Sequence, residues 1–200
     1  AEGGADIIIG TQIVAKGHNF PLLTLVGVID ADLGLQGSDL RAAERTFQLM
    51  RQVAGRAGRA ERPGEAWLQT HQPEHPVIRA ILSGEEEAFW RAEAAERRAA
   101  GVPPYGRMAG IILSGPDVAA VFDLGNELAR RADPLRAIGA EVFGPAPAPI
   151  ARVRGRHRVR LLVKAPKSVA LQPALARWVA QVKLPANLRL AIDIDPQSFY

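Results

Sequence analysis

Apolar positions along the 200-residue chain follow two regimes, and the change between them falls at residues 101–107. In the first regime short β-rich runs alternate with longer helical patterns. "DIIIGT" (6–11) and "TLVGVIDAD" (24–32) read as strands, the second with little alternation, as expected when both faces are covered. "GEAWLQT" (64–70) reads as a third. "QIVAKG" (12–17) has room for a short helix, and a longer helical pattern runs from about Asp39 to Arg59. Two more helices are expected near 76–82 and 84–100. The second opens acidic and closes basic before a glycine, which suits the helix dipole and a glycine stop. Strand, helix, strand, helix, strand predicts part of an α/β layer with a parallel sheet.

"GVPPYGR" (101–107) places two prolines and two glycines in seven residues, which predicts a boundary. Beyond it "RMAGIILSG" reads as a strand and "PDVAAVFDLGNELARRA" as a helix, with Pro116 suited to the first turn. "AEVFGPA" is a strand, followed by a proline-rich connector and the strand "HRVRLLVKA". "SVALQPALARWVAQV" is a helix started late or interrupted by Pro173, and "LRLAIDID" is the last strand. The order βαββαβ matches a split-βαβ, ferredoxin-like α+β domain. The predicted organisation is a segment 1–100, a linker 101–107 and a domain 108–200.

Charge separates the same two regions. Residues 1–100 hold 11 Lys/Arg and 14 Asp/Glu, a net −3, whereas residues 101–200 hold 14 and 7, a net +7. A basic half of this kind points to a polyanionic partner. The chain has no cysteine, which excludes disulfides and thiolate metal sites within it and fits a reducing cytoplasm. Its four histidines show no zinc-ligand helix spacing: His71 and His75 are four apart, but Pro73 lies between them. No metal site is expected. No run approaches the roughly 20 apolar residues of a membrane span, so no membrane association is expected. The start, "AEGGADIIIG", lacks the zones of a signal peptide and does not begin with Met, so the chain is expected to be cut from a longer one.

Two stretches carry candidate chemistry. At about 100° per residue, Arg41, Arg45, Gln48, Gln52, Arg56 and Arg59 fall within a helical stripe about 80° wide, with Phe47, Met50, Ala54 and Ala57 on the opposite side. Arginine suits a site where a planar fork must grip phosphate. Gly55 and Gly58 each weaken the helix by about 1 kcal/mol relative to Ala, so either something packs closely there or the helix is ending. The second stretch is "GTQIVAKGHNFP" (10–21), where polar Thr11, Gln12 and Lys16 follow a predicted strand, the usual place for ligands in α/β sheets. Asp30 and Asp32 end another predicted strand; they could be read as Mg²⁺ ligands, but a structural or interdomain role is expected.

"GTQIVAKGHNFP" followed by "AERTFQLMRQVAGRAGR" resembles helicase motifs V and VI of superfamily 2. With "GEAWLQTHQPEHPVI", "AEAAERRAAGVPPYGRMA", "GPAPAPIARVRGRHRVRLLVKAP" and "LAIDIDPQSF", the chain is similar over nearly its whole length to the bacterial primosomal replication-restart DNA helicases, as a C-terminal fragment. The resemblance implies an ATP-driven 3′→5′ helicase that binds stalled or branched forks and single-stranded DNA. Residues 1–100 would be the C-terminal part of a RecA-like lobe 2, and 108–200 a ferredoxin-like domain similar to ribosomal protein S10. Arg59 resembles the arginine finger, Arg56 a second γ-phosphate contact and Gln52 an orienting group. Thr11, Gln12, Lys16 and Gly17 resemble motif V, with Gly17 and Asn19 toward the nucleotide; Asn19 stands where many such motifs carry Asp. An arginine finger stabilises charge spreading onto the phosphoryl oxygens and is worth about 10³–10⁵ in rate in comparable systems. The resemblance further implies ATP and Mg²⁺ completed by another lobe, and zinc only in a cysteine-rich segment outside this chain. It also implies as partners single-stranded DNA-binding protein and other primosome proteins, and a cytoplasmic, nucleoid-associated location.

"IARVRGRHRVRLLVKAPK" places Arg152, Arg154, Arg156, Arg158 and Arg160 at every second position with no acid among them. Gly155 predicts a turn, hence a hairpin with arginines on both arms, and nucleic-acid backbone contact is favoured over a solvated edge strand. Tyr105, Phe143, Trp178 and Phe199 are available for stacking, but Phe143 and Trp178 are expected in the core. Lys167 and Gln172 are the expected partner contacts. A competing reading is a non-catalytic nucleic-acid or protein-binding module with vestigial helicase motifs; an RNA-binding domain is a third. No G-x-x-x-x-G-K-[ST] phosphate loop is present. The chain alone should therefore hydrolyse no ATP, and phosphate release stimulated by DNA in the pure chain would overturn that.

Overall fold

In the computed structural model the described residues are 5–11, 23–35, 39–55 and 64–197. The backbone divides into two compact units, Ala1–Ala92 and Glu93–Tyr200. The first holds β1 (Leu25–Val28), a 3₁₀ turn at Ala31–Leu35, α1 (Ala42–Ala54), β2 (Glu65–Leu68), α2 (Pro76–Ser83) and the start of α3 (Glu86–Ala100). Strands β1 and β2 pair in parallel, Leu25 opposite Glu65 through Val28 opposite Leu68. Two of the three predicted strands, 24–32 and 64–70, are therefore present and parallel, in shorter form. The predicted strand at 6–11 is not: those residues are irregular, with Ile7 and Ile9 exposed. A strand exists only by bonding to a neighbour, and no described strand lies beside this run. The short helix expected at 12–17 lies outside the described residues.

Helix α1 follows the predicted face. Phe47 and Met50 are buried. Phe47 stacks on Phe89 with ring centroids 4.2 Å apart, and Trp90 meets Phe47 edge-on at 5.5 Å. Val77 and Ala80 of α2 join this cluster, while Ala31, Met50 and Ile78 form a second one. Helix α2 starts at Pro76 behind His75, whose Nδ1 accepts from the Val77 amide at 3.2 Å, and it stops at Gly84 with φ 73°.

In the second unit the order is β3 (Gly106–Gly115), α4 (Val118–Arg130), the four-residue α5 (Asp133–Arg136), β4 (Glu141–Val153), β5 (Arg156–Pro166), α6 (Leu171–Val179) and β6 (Arg189–Ile194). The sheet runs β4-β5-β3-β6 and every pairing is antiparallel. That is the split-βαβ arrangement the element order predicts. Segment 101–107 is knitted by turns, with the amides of Tyr105 and Gly106 both donating to the Val102 carbonyl, and it runs directly into β3. Asp117 rather than Pro116 opens α4: its carboxylate accepts from the Ala119 amide at 3.0 Å, leaving Pro116 outside the helix.

The expected proline-rich connector is a second correction. Residues 147–153 belong to β4, which continues past two register shifts to a two-residue turn. Prolines are tolerated there because β4 is an edge strand. The turn residues Arg154 and Gly155 have φ 48° and 78°, as a primed hairpin turn requires. Leucine, valine and isoleucine from β3, β5, α4 and α6 pack around Trp178, which is fully buried and donates Nε1–H to the Leu128 carbonyl at 3.0 Å. Gly125 lets α4 approach β4: a Cβ there would lie 2.9 Å from Pro145 Cβ. At the far edge the Asp195 carboxylate accepts from Arg107 Nε and the Met108 amide, both at 2.8 Å, tying the end of β6 to the start of β3. Trp178→Ala should cost about 3–5 kcal/mol of unfolding free energy in denaturant titrations, and Trp178→Phe distinctly less.

Candidate functional site

The α1 stripe is less bare than its sequence implies. Arg41 donates to both Glu44 oxygens, Nε to Oε2 at 2.9 Å, and Arg45 donates to Asp39 Oδ2 at 2.6 Å. Arg51 pairs with Glu86 and lies over the Phe47 ring. Arg41 and Arg45 of the stripe are thus partly neutralised by acids, and Arg51 beside the stripe is answered by Glu86 of α3. Gln52 is exposed near the C-terminus of α1, where the Gly55 amide donates to Arg51 and Val53 carbonyls. Arg56 and Arg59 lie outside the described residues, as do Gln12, Lys16, Gly17 and Asn19. Thr11 is exposed and follows no strand, contrary to its expected place at a strand end.

Asp32 has the structural role. It is buried, and its carboxylate accepts from the Thr70 hydroxyl at 2.5 Å and the His71 amide at 2.7 Å. These bonds, the Thr70 hydroxyl foremost, hold its carboxyl below the ordinary value. Among the described residues no group of three or more His, Cys, Asp or Glu is placed to hold a metal ion.

The arginine run forms the predicted hairpin, and the turn distributes its members. On β5, Val159, Leu161 and Val163 are buried toward the helices, so Arg158 and Arg160 occupy the opposite, helix-free face. Arg152 pairs with His157 in the register and lies on the other face from Arg158 and Arg160; Arg154 sits at the turn itself, exposed. Arg156 is drawn inward: its guanidinium donates to the carbonyls of Ser114 at 2.8 Å and Asn187 at 2.9 Å. It thus ties the turn end of the hairpin to β3 and to the loop before β6. Arg158 reaches the Ile150 carbonyl at 3.5 Å. Lys164 pairs with Glu141, its neighbour across the ladder, at 2.9 Å. Lys167 and Gln172 are exposed around the start of α6. A cavity of about 420 Å³ lies elsewhere, between α4 and residues 183–188, lined by both Asp123 and Glu127 and both Arg130 and Lys183.

Sequence reading assigned Phe143 to the core, and this is a correction. Val142 faces the core, so Phe143 faces the helix-free side opposite Leu162, 47% exposed. The alternation of β4 carried that signal. Trp178 is in the core as expected. Tyr105 is half-buried beneath the Arg98 guanidinium, and Phe199 lies outside the described residues.

Residues 98–197 match the family model of the primosomal protein N C-terminal domain. The chain belongs to this family. Over 98% of its length it is 43% identical to the replication restart protein PriA of Rickettsia conorii, covering 30% of that protein. It is 38% identical to PriA of Haemophilus influenzae and 37% identical to PriA of Bacillus subtilis, again over 98% of the chain and covering 27% and 25% of them. The chain therefore spans less than a third of the length of these PriA relatives. Among the described residues no helix is long and apolar enough to cross a membrane.

Because the Asp32 carboxyl is held below its ordinary value of 3.8, its stabilising contribution is whole above that pH and is lost as pH falls through the lowered value. Thermal unfolding followed from neutral to acid pH should show this loss, and Asp32→Asn should lower the midpoint at neutral pH and flatten the acid limb.

Proposed function

We propose that the chain is the C-terminal part of an ATP-dependent 3′→5′ DNA helicase of superfamily 2 that binds stalled or branched replication forks and restarts replication through primosome assembly. Family membership supports this reading, as do relatives named for replication restart. The observation that carries its DNA-binding half is the hairpin β4–β5, which sets Arg154, Arg158 and Arg160 at its tip and on one face of a net-basic domain. Phosphate contact is the use of such a row that needs no base sequence.

In the same proposal residues 1–100 belong to a RecA-like lobe 2, and 108–200 form a ferredoxin-like domain of the ribosomal protein S10 kind. Arg59 is the arginine finger toward the γ-phosphate, Arg56 a second contact and Gln52 an orienting group. ATP and Mg²⁺ supply the phosphoryl chemistry when another lobe presents them. Thr11, Gln12 and Lys16 meet the DNA backbone, and Gly17 and Asn19 face the nucleotide. Zinc belongs to a cysteine-rich segment outside this chain. Lys167 and Gln172 contact single-stranded DNA-binding protein, other primosome proteins complete the set of partners, and the protein is cytoplasmic in a bacterium, at the nucleoid.

Single-stranded DNA affinity measured from low to high salt should fall steeply. Replacing Arg154, Arg158 and Arg160 by Ala should flatten the log–log slope by about 2, at about 0.7 for each phosphate no longer neutralised. An unchanged slope and affinity would remove the DNA-binding half. For the catalytic half, supplying the missing lobe in trans should restore DNA-stimulated ATPase, and Arg59→Ala should abolish it.

A further inference from the structure

The helix-free face of the second unit's sheet is not uniform. Toward β3 it is covered, because Val102 packs onto Met108 and Leu162. Toward β4 it carries Phe143, with the small Ala146 further along the same strand. Phe143 stands opposite Leu162, and Ala146 opposite Arg160. Arg158 follows two residues on, about 7 Å along β5. Glu141 is the acid on this strip, and Lys164 answers it at 2.9 Å. The strip thus presents an aromatic ring beside two arginines.

An aromatic ring left half in water on an edge strand is poorly used by the fold. It is well used by an unstacked base, and arginines beside it can take the flanking phosphates. A docked protein segment would gain more from a continuous apolar surface than from one ring beside two arginines. We propose that this face is a stacking platform for single-stranded DNA, with Phe143 carrying a base and Arg158 and Arg160 holding the phosphates beside it. The proposal rests on the DNA-binding reading above and adds the base contact that the arginine row lacks. Stacking is indifferent to base identity, so the platform holds a strand without reading its sequence.

The test uses the whole 200-residue chain and two labelled oligonucleotides of equal length, oligo-dT and its abasic counterpart, with affinity read by anisotropy. Phe143→Ala should weaken oligo-dT binding about five- to a hundredfold and leave abasic binding unchanged. Phe143→Trp should retain affinity for oligo-dT. Arg158→Ala with Arg160→Ala should weaken both strands. If the wild-type chain binds oligo-dT with a salt slope but Phe143→Ala binds it equally well, the platform is overturned while the phosphate row stands, and the ring is left to a protein segment. If Phe143→Ala weakens both strands alike, with a lowered unfolding midpoint, its role is structural and the platform is again overturned. If the wild-type chain binds neither strand, the DNA reading itself fails.

Discussion

Strand β5 alternates with a period of two, and that constraint organises the second unit. Val159, Leu161 and Val163 must enter the layer beneath α4 and α6, because the sheet has no other place to bury them. The residues between them, Arg158, Arg160, Leu162 and Lys164, are then obliged to face away from the helices. A slip of one residue would put arginines against Trp178 and valines in water. Since β5 is bonded on both sides, to β3 and to β4, its register fixes theirs as well. The basic face is therefore the other side of the hydrophobic core, set by the same ladder.

The first unit rests on a different device. The two strands among its described residues pair over only four residues each, too little to organise much by themselves. Order comes from aromatic packing of α1 against α2 and α3 through Phe47, Phe89 and Trp90, and from Asp32, which joins the turn after β1 to the segment after β2. Burying a carboxylate is costly unless its oxygens are met by donors, and here a hydroxyl and an amide meet them. A strand-end aspartate of this kind looks like a cation ligand in sequence because the partners that occupy it come from 38 and 39 residues away.

That distance explains most of what was and was not legible. The βαββαβ order, the strand character of β1 and β2 and the faces of α1 follow from local periodicity, which a sequence displays directly. The strand extent of β4 did not, because proline content argues for a loop until the strand is known to lie at an edge. The pairing of Arg51 is hidden in the same way, since Glu86 belongs to α3. Phe143 was misplaced for a simpler reason. It lies in a patterned strand, but its parity is opposite to that of Val142, and only the parity decides which face it takes. Arg156 could not have been separated from its neighbours in the row by sequence, because the carbonyls that hold it, from Ser114 and Asn187, are 42 and 31 residues distant.

The prolines of β4 have a consequence for how the hairpin behaves in a crowded solution. Pro145, Pro147 and Pro149 strip three amide donors from the outermost strand of the sheet. An edge so depleted makes a poor template for another strand, whether from a second copy or from an extended peptide. The arm can then stand out with its arginines and its uncovered apolar side chains without recruiting its own kind. What docks on it must do so through side chains and not by adding a strand to the sheet.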